Sequence, residues 1–426
     1  MEAIIEGTKE PPIQSTIYGK DSDGHPITLM RCMCSRMAAN ELRDEYEIVA
    51  PLCIRGQEVE SLDDPVAKSV SFSLDKFHRW LGEDFIKLHQ AEGDRLNWII
   101  PPTLELKYPL GDNGVFLRIT QTTLVSHSWD EVEFKPGCQL WLTFNTPCSL
   151  GDIIREWVPC IVRFFSLLHG DRFEWDSVGY ASYNPFVLGE LSQAEGVESL
   201  KEGRITIRSN FAERNRGGDI PGPWMVAPFS AIKEHLPQML ARWYEVHQRL
   251  KPAIELFWAV AFRASNYLEA SFLFLVQALE VYHARSSQFD SAQLPPDEHR
   301  RRVQAVFENA PPELKEWLKR KIQSQNYKYL DERLTDIFSA YLLESRELFE
   351  DVEGMAKRIS FTRNYLTHYP NRTDSSRLID ERDMIWVNDA LERLLWIIFL
   401  RELGLPEPII NGAWKSLVDL RAVKKQ

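Results

Sequence analysis

The residue types best suited to acid–base chemistry lie together in residues 360–370 of this chain. Pro370 disfavours helical geometry at the residue before it, so the helix is predicted to stop there. His368 then lies in the last helical turn, and Asn364, four residues earlier, shares its face. Arg363 lies on the adjoining flank. The segment therefore places an imidazole, an amide and a guanidinium near one helix end.

These three groups are the ones that metal-free RNA cleavage requires. Histidine titrates near neutral pH and serves as a general acid or base. Arginine is a permanent cation whose planar donor fork matches phosphate. Asparagine orients a phosphate oxygen, a ribose hydroxyl or the imidazole. Taken alone the pattern is weak, because a histidine at a helix end more often contacts the terminal carbonyls and an arginine more often forms a surface ion pair.

Glu280 and Tyr365 are the expected supporting residues of this site. Glu280 lies in an apolar helix between aliphatic neighbours. A surface position or an ion pair is its ordinary interpretation, because an unpaired buried glutamate is rare. The functional interpretation is a polar group that orients Arg363 or His368. Tyr365 lies within the motif segment itself.

Two basic clusters are candidates for RNA binding. They are Arg300, Arg301 and Arg302, and Lys319, Arg320 and Lys321. Tyr327 and Tyr329 follow the second cluster, and cations beside stacking aromatics suit single-stranded RNA. A solvated helix face is the ordinary interpretation of such clusters.

The first half of the chain must supply a sheet, because short runs there alternate apolar and polar residues. The predicted strands are residues 13–18, 46–50, 67–74, 104–108, 114–119 and 139–144. Turn residues between them favour a mostly antiparallel sheet. One helix is predicted from Ser149, as its N-cap, to Gly170, with Pro159 either kinking it or marking its true start.

Helical periodicity dominates from residue 229 onward and predicts an all-α bundle of about five or six helices. The predicted helices are residues 236–250, 254–284 (in one part or two), 312–322, 330–350, 352–368 and 382–403. Glycine and proline cluster in residues 215–223, which indicates a boundary. The expected fold class is therefore α+β, with a strand-rich sensing or regulatory domain at 1–225 and a helical domain at 226–426.

Composition and charge limit the classes of protein. The net charge is −12, from 50 Lys and Arg against 62 Asp and Glu, which disfavours a broad nucleic-acid coat but leaves a local basic groove open. Six cysteines without a CxxC pair predict reduced thiols and no metal site. The first residues lack the pattern of a signal peptide, and the apolar runs are shorter than the ~20 residues of a membrane span. We therefore expect a soluble, cytoplasmic protein with no membrane partner.

The run Arg363-Asn364-Tyr365-Leu366-Thr367-His368 resembles the Arg–polar–x3–His signature of the HEPN superfamily. Residues 267–280 and 363–371 resemble the ApeA-like branch of that superfamily. The strand-rich half, with its 141–144 strand and the helix after Cys148, resembles the N-terminal domain of ApeA-type anti-phage proteins. The expected helical bundle is thus HEPN-like.

The resemblance implies a role for each matching residue. Arg363 would contact phosphate, Asn364 would support it, and His368 would be the acid or base. HEPN domains commonly pair across a two-fold axis, which implies a homodimer or a higher homo-oligomer. The enzymes of this family are endoribonucleases of defence and toxin systems that use no metal, so no cofactor is expected.

The substrate that the resemblance implies is RNA: tRNA, rRNA or mRNA. The N-terminal domain is expected to restrain the enzyme until a phage-derived trigger arrives. The alternative hypothesis is a non-catalytic HEPN-like module for dimerisation or nucleotide binding in a defence or regulatory complex. Growth arrest or phage protection that survives His368→Ala would favour this alternative.

Overall fold

The computed structural model describes most of the chain. The described residues are 16–40, 43–75, 77–82, 87–90, 96–99, 104–111, 114–127, 132–175, 177–183, 185, 201–207, 225–262, 267–322, 325–370 and 374–424. The chain forms two compact units, one made of Met1–Tyr244 with Leu403–Gln426 and the other of Glu245–Glu402. The glycine- and proline-rich segment at 215–223 lies outside the described residues, so a division of the chain at residue 225 stays a prediction.

The first unit is built on an antiparallel sheet that has nine strands among the described residues. The strands of the chain are β1 Thr16–Lys20, β2 Pro26–Met30, β3 Met33–Asn40, β4 Arg43–Val49, β5 Leu52–Arg55, β6 Pro65–Phe72, β7 Lys87–Gln90, β8 Leu96–Ile99, β9 Leu104–Pro109, β10 Val115–His127, β11 Val132–Ser149, β12 Ser177–Ala181 and β13 Glu202–Ile207. The large sheet has the order β1-β2-β5-β13-β12-β6-β11-β10-β9, while β3 with β4 and β7 with β8 form separate hairpins. The predicted strands are confirmed, apart from residues 13–15, which lie outside the described part.

The register of the large sheet places its apolar residues on one face. Val178 lies opposite both Ile205 and Phe72, and Phe72 lies opposite Leu140. All four side chains are buried. Because successive side chains of a strand point to opposite faces, the residues between them occupy the other face of the sheet.

A short helix, α1 (Phe77–Leu81), and the segment after β11 pack together through aromatic side chains. That segment consists of α2 (Leu150–Asp152), a π-helical turn (Ile153–Trp157) and α3 (Val158–His169). Phe77 and Trp80 of α1 contact Phe165 of α3 edge-on, with ring centroids 4.7 and 5.2 Å away. The Trp80 indole donates to the carbonyl of Ala227, so its polar end is satisfied in the core.

The helical segment after β11 begins and ends where the sequence predicts. The Ser149 hydroxyl accepts a hydrogen bond from the Asp152 N–H, as an N-cap does. Pro159 lies in the first turn of α3, and the widened π turn immediately precedes it. Proline has no N–H and its ring crowds the carbonyl four residues earlier, which accounts for the wider turn. Gly170, at a φ of +93°, ends the helix.

The remaining helices confirm the predicted all-α second half, but they number ten among the described residues and not five or six. They are α4 Phe229–Ile232, α5 Leu236–Ala261, α6 Leu268–Arg285, α7 Pro296–Asn309, α8 Pro312–Ile322, α9 Leu330–Ala340, α10 Leu342–Leu348, α11 Val352–His368, α12 Glu381–Glu402 and α13 Glu407–Lys424. In the second unit α12 packs on α6, and α9 packs on both α6 and α11. Phe257 joins this core, because its ring contacts those of Trp396 and Phe399.

Two predicted helix boundaries were wrong. The chain continues as α5 through Pro252 instead of stopping near residue 250, because buried side chains on both sides of the proline, Leu250 and Ile254, hold that stretch in the core. The predicted 330–350 helix is interrupted at Tyr341, whose φ and ψ are −113° and 48°.

A buried hydrogen bond accounts for the interruption at Tyr341. Its hydroxyl lies 2.7 Å from that of Tyr282, which in turn donates to Glu402. Burial raises the pKa values of both phenols, so they stay protonated and able to donate. The free energy gained by hydrogen-bonding these buried hydroxyls exceeds the cost of interrupting the helix.

None of the helices in the described part of the chain combines the length and apolar composition that a membrane span requires.

A buried side chain of α11 fastens this helix to the segment that follows it. The Thr362 hydroxyl is buried and accepts a hydrogen bond of 3.0 Å from the Ile379 N–H. Arg358 also donates to the Leu378 carbonyl, at 3.2 Å. These contacts fix the depth and rotation of α11, on which the motif residues lie.

We predict that Thr362→Val lowers the free energy of unfolding by about 1–3 kcal/mol, because it leaves the buried Ile379 N–H without an acceptor while keeping the side-chain shape. Denaturant titration of the purified protein measures this change. Thr367→Val is the matched control, since the Thr367 hydroxyl is exposed and, among the described residues, bonds only the Arg363 carbonyl of its own helix. Equal stability of both variants would contradict the role of Thr362.

Candidate active site

Helix α11 ends at His368, as the sequence predicts. Its N-cap is Asp351, whose carboxylate accepts a hydrogen bond from the Gly354 N–H at 2.9 Å. Tyr369 adopts a left-handed conformation with a φ of +41°, and its N–H closes the last turn on the Tyr365 carbonyl at 2.7 Å. Left-handed geometry costs a non-glycine residue about 1–2 kcal/mol, so the reversal at this point requires support from its surroundings. His368 is thereby the last helical residue, and its side chain is exposed.

Three charged side chains from three helices meet beside this helix end. Arg363 of α11 contacts Glu280 of α6, with Nη2 and Oε2 3.4 Å apart. The other carboxylate oxygen of Glu280 lies 3.4 Å from Nη1 of Arg333 on α9. The three side chains retain 30, 29 and 15% of their exposure, in the order Arg363, Glu280 and Arg333. Glu280 is thus ion-paired, which is its ordinary interpretation, and its expected role in orienting Arg363 stays a prediction.

The charges in this group do not cancel. Two guanidinium groups share one carboxylate, which leaves a net charge of +1. The contacts are long for charge-assisted hydrogen bonds and are open to solvent, so each contributes modestly to stability. Their geometric effect matters more, because Glu280 restricts where the Arg363 guanidinium can lie. The arrangement is suited to accept an anion such as a phosphate.

Asn364 extends the site towards solvent. Its Oδ1 accepts a bond of 3.3 Å from Nη1 of Arg363, which leaves the amide NH₂ to donate elsewhere. The Tyr365 ring lies 5.5 Å from that of Tyr369, so it lines the helix end rather than the charged group. No hydrogen bond joins the His368 side chain to another described residue, so its ring nitrogens are open to a ligand.

The helical rise places His368 about 7.5 Å beyond Arg363 along the axis of α11. At 100° per residue, Asn364 lies about 40° from His368 around the helix axis, whereas Arg363 lies about 140° from it. Arg363 thus contacts both Asn364 and Glu280, and His368 lies about one and a half helical turns beyond Arg363.

Arg333, Lys328 and Asp336 support this site, and sequence reasoning did not identify them. The Arg333 Nε donates to the Lys328 carbonyl at 3.0 Å. The Lys328 ammonium lies 2.7 Å from Asp336 Oδ2, and the same oxygen lies 2.8 Å from Nε2 of His283. Arg333 is 53 residues from Glu280 in the chain. No local pattern relates positions so far apart.

His283, three residues after Glu280 on α6, is fully buried and stacks on Phe289 with ring centroids 4.8 Å apart. Burial lowers the pKa of His283 and outweighs the opposing hydrogen bond to Asp336. Burial raises the pKa of Asp336, but its bonds to Lys328 and His283 outweigh this effect and hold the pKa below its usual value. His283 is a structural residue under α9.

The two basic clusters lie on α7 and α8, apart from the motif residues. All three arginines of the first cluster pair with acids of the first turn of α7: Arg300 with Asp297, and Arg301 and Arg302 with Glu298. Lys319, Arg320 and Lys321 are exposed in the last turn of α8 and form no ion pair with a described residue. No hydrogen bond or ion pair joins either cluster to Arg363, Asn364 or His368 within the described residues. Their RNA-binding role stays a prediction.

Comparison with protein families identifies the class of both halves. The family described as Apea-like HEPN matches residues 273–408, so the helical bundle that carries the site is a HEPN domain. The family described as ApeA N-terminal domain 1 matches residues 5–243, more than half of the chain. The chain therefore belongs to the ApeA-like family, with a C-terminal HEPN domain. No curated protein and no solved structure matches the chain. HEPN domains are typically RNases and often dimerise, and this membership supports a nuclease-type role in anti-phage defence.

The buried His283 predicts loss of stability on acidification. Its pKa is lowered in the folded protein, so the unfolded chain takes up the proton first, and stability falls as pH drops through and below about 6.5. Melting temperatures between about pH 7.5 and about pH 5 should fall less steeply for His283→Gln than for the wild type. His368→Gln, which removes an exposed histidine, should follow the wild type. If the melting temperature of His283→Gln falls with pH as steeply as that of the wild type, His283 is not the cause of the acid sensitivity.

Proposed function

We propose that this protein is a metal-independent endoribonuclease effector of anti-phage defence that cleaves RNA through Arg363, Asn364 and His368. The observation that carries the proposal is the shared carboxylate of Glu280, which holds Arg363 beside a second guanidinium and leaves a net positive charge beside the helix that ends at the exposed His368. Such a site is suited to bind a phosphate and to transfer a proton.

The reaction follows from the groups present. The ribose 2′-hydroxyl attacks the adjacent phosphorus atom, and His368 accepts its proton as the new P–O bond forms. The P–O5′ bond breaks, and the leaving 5′-oxygen takes up a proton. The products are a 2′,3′-cyclic phosphate and a 5′-hydroxyl. The Arg363 guanidinium stabilises the additional negative charge on the phosphoryl oxygens, and Asn364 donates to one of them.

A homodimer supplies the second proton-transfer group. One copy contributes a single histidine to the motif, whereas cleavage needs a base for the 2′-hydroxyl and an acid for the 5′-oxygen. Two copies related by a two-fold axis place two Arg363–His368 sets across one cleft. The charged and exposed character of the site fits a surface that is completed by a symmetric partner and by RNA.

The substrate class is tRNA, rRNA or mRNA, and the N-terminal domain restrains the enzyme until a phage-derived trigger arrives. Two features support local attraction of RNA by an acidic protein: the +1 charge of the site itself, and the exposed Lys319, Arg320 and Lys321 of α8. Attraction of this kind weakens as salt is raised.

The first test incubates the wild type, Arg363→Ala and His368→Ala with total RNA in EDTA. The wild type should leave 2′,3′-cyclic phosphate ends, and each variant should lose about 10²–10⁴-fold in rate, the usual contribution of a positioned acid–base group. Arg382→Ala is the control, because Arg382 is an exposed cation at the start of α12.

Two results would count against the nuclease. One is cleavage that survives His368→Ala, and the other is activity that EDTA abolishes. If no sample cuts, the assay is repeated with lysate of phage-infected cells as a source of the trigger. If no RNA is cleaved in that assay either, and His368→Ala still protects against phage, the results support the non-catalytic dimerisation or nucleotide-binding module.

Glu280 is a positioning residue in this proposal. Glu280→Gln keeps the size of the side chain but removes the charge that orients Arg363, so the maximal rate should fall about 10–100-fold with a smaller change in KM. Glu280→Asp should restore part of the rate. Glu269→Gln, the same change on the same helix, should behave as the wild type. The role is ruled out if Glu280→Gln cleaves at the wild-type rate.

A further inference from the structure

The large sheet of the first unit has a polar face opposite its core face. Phe72, Val178 and Ile205 point into the core, so their neighbours Ser71, Gly179 and Arg204 point the other way. These neighbours lie side by side, since Gly179 pairs directly with Ser71 on β6 and with Arg204 on β13. They form one row across three adjacent strands.

A trough runs along this face because its two central strands carry only small side chains there. Ser177 and Gly179 lie on β12, and Ser71 lies on β6. The flanking strands carry long side chains, Arg204 on β13 and Gln139 on β11. The cavity between them has a volume of about 290 Å³. This volume is slightly below the range of typical small-molecule sites, which begins at about 300 Å³.

Gly179 keeps the floor of the trough open. A Cβ built on this residue would lie 2.8 Å from the Ser71 Oγ, within the space that the cavity occupies. The Gly179 backbone is extended, so the position does not require glycine for its conformation. The absence of a side chain is therefore what creates the space.

The trough offers donors and an uncompensated positive charge. Arg204 is exposed and forms no ion pair or hydrogen bond with a described residue. The next cation in the row, Arg55, differs because Asp21 holds its guanidinium at 3.2 Å. No carboxylate lines the cavity among the described residues, whereas hydroxyl groups, including that of Thr206, line much of it. An anion in the trough is therefore attracted by Arg204. Glu202, two residues away on the same face of β13, lies outside the cavity lining and accepts a hydrogen bond from the Tyr183 hydroxyl.

We propose that this trough binds a phosphorylated small molecule about the size of a mononucleotide. The phosphate lies against the Arg204 guanidinium, whose parallel N–H groups match two phosphate oxygens, and the serine hydroxyls donate to the remaining one. Gln139, on the opposite wall, offers an amide donor and acceptor to the uncharged part of the ligand. The proposal rests on the first unit alone and does not depend on RNA cleavage by the HEPN domain.

The test measures binding of AMP, GMP, CMP, UMP and inorganic phosphate to the full-length protein by calorimetry and thermal shift. At least one mononucleotide should bind and raise the melting temperature. Its nucleoside, which lacks the phosphate, should bind at least about tenfold more weakly. Arg204→Gln should weaken binding about 10–100-fold, the usual loss when a charged hydrogen-bond partner is removed.

Two further variants test whether binding requires the trough itself and is not an effect of surface charge or of misfolding. Gly179→Val fills the floor and should abolish binding, and the melting temperature without ligand shows whether the variant is folded. Lys107→Gln removes an exposed cation from β9, outside the cavity lining, and should leave binding unchanged.

Three results would overturn the proposal. The first is that no member of the panel binds. The second is that Arg204→Gln binds as tightly as the wild type. The third is that a single-stranded RNA 12-mer binds through Arg204 while every mononucleotide fails, which would make the face a nucleic-acid surface instead. RNA cleavage is measured in the same variants, so that loss of ligand binding is distinguished from loss of the nuclease.

Discussion

One carboxylate, that of Glu280, holds the candidate active site together. Each of its oxygens contacts a different guanidinium at 3.4 Å, that of Arg363 on one helix and that of Arg333 on another. Arginine side chains are long and lose conformational entropy when they are fixed, so a site that needs one in a defined place needs such a partner. Sharing the carboxylate orients Arg363 without neutralising it. The chain of contacts through Arg333 and Lys328 to Asp336 connects the site to a buried histidine.

The end of α11 meets two opposing requirements. Its middle is fixed by the buried Thr362 hydroxyl, which accepts from the Ile379 N–H. Its last turn is exposed, and the left-handed Tyr369 turns the chain away after His368. The fixed middle of the helix holds His368 in a defined position, and the exposed end leaves its side chain accessible from solvent.

In the first unit, the stabilising residues and the exposed polar residues lie on opposite faces of the large sheet. One face of the large sheet carries the apolar row that makes its core, and the other carries serine, glycine and arginine. Because side chains alternate along a strand, the residues that form the core and the residues that line the trough lie on opposite faces of the sheet. The family assignment joins the two units in an ApeA-like protein, and each of them has a cation without full compensation. The overall acidity of the chain, −12, is thus a poor guide to the local charge at either place.

The sequence by itself determined the features that depend on neighbouring residues. The Ser149 cap, the Gly170 stop, the bounds of α11 and six of the thirteen described strands follow from local signals of capping, glycine conformation and periodicity. The Arg363–His368 motif and the HEPN resemblance are likewise contained in six consecutive residues. Tertiary structure decided what depends on distant partners. It carried α5 through Pro252, interrupted a helix at Tyr341, brought Arg333 to Glu280 across 53 residues, and aligned β6, β12 and β13 into one trough. Burial and pairing energies between such segments exceed local preferences, and their partners cannot be recognised from spacing along the chain.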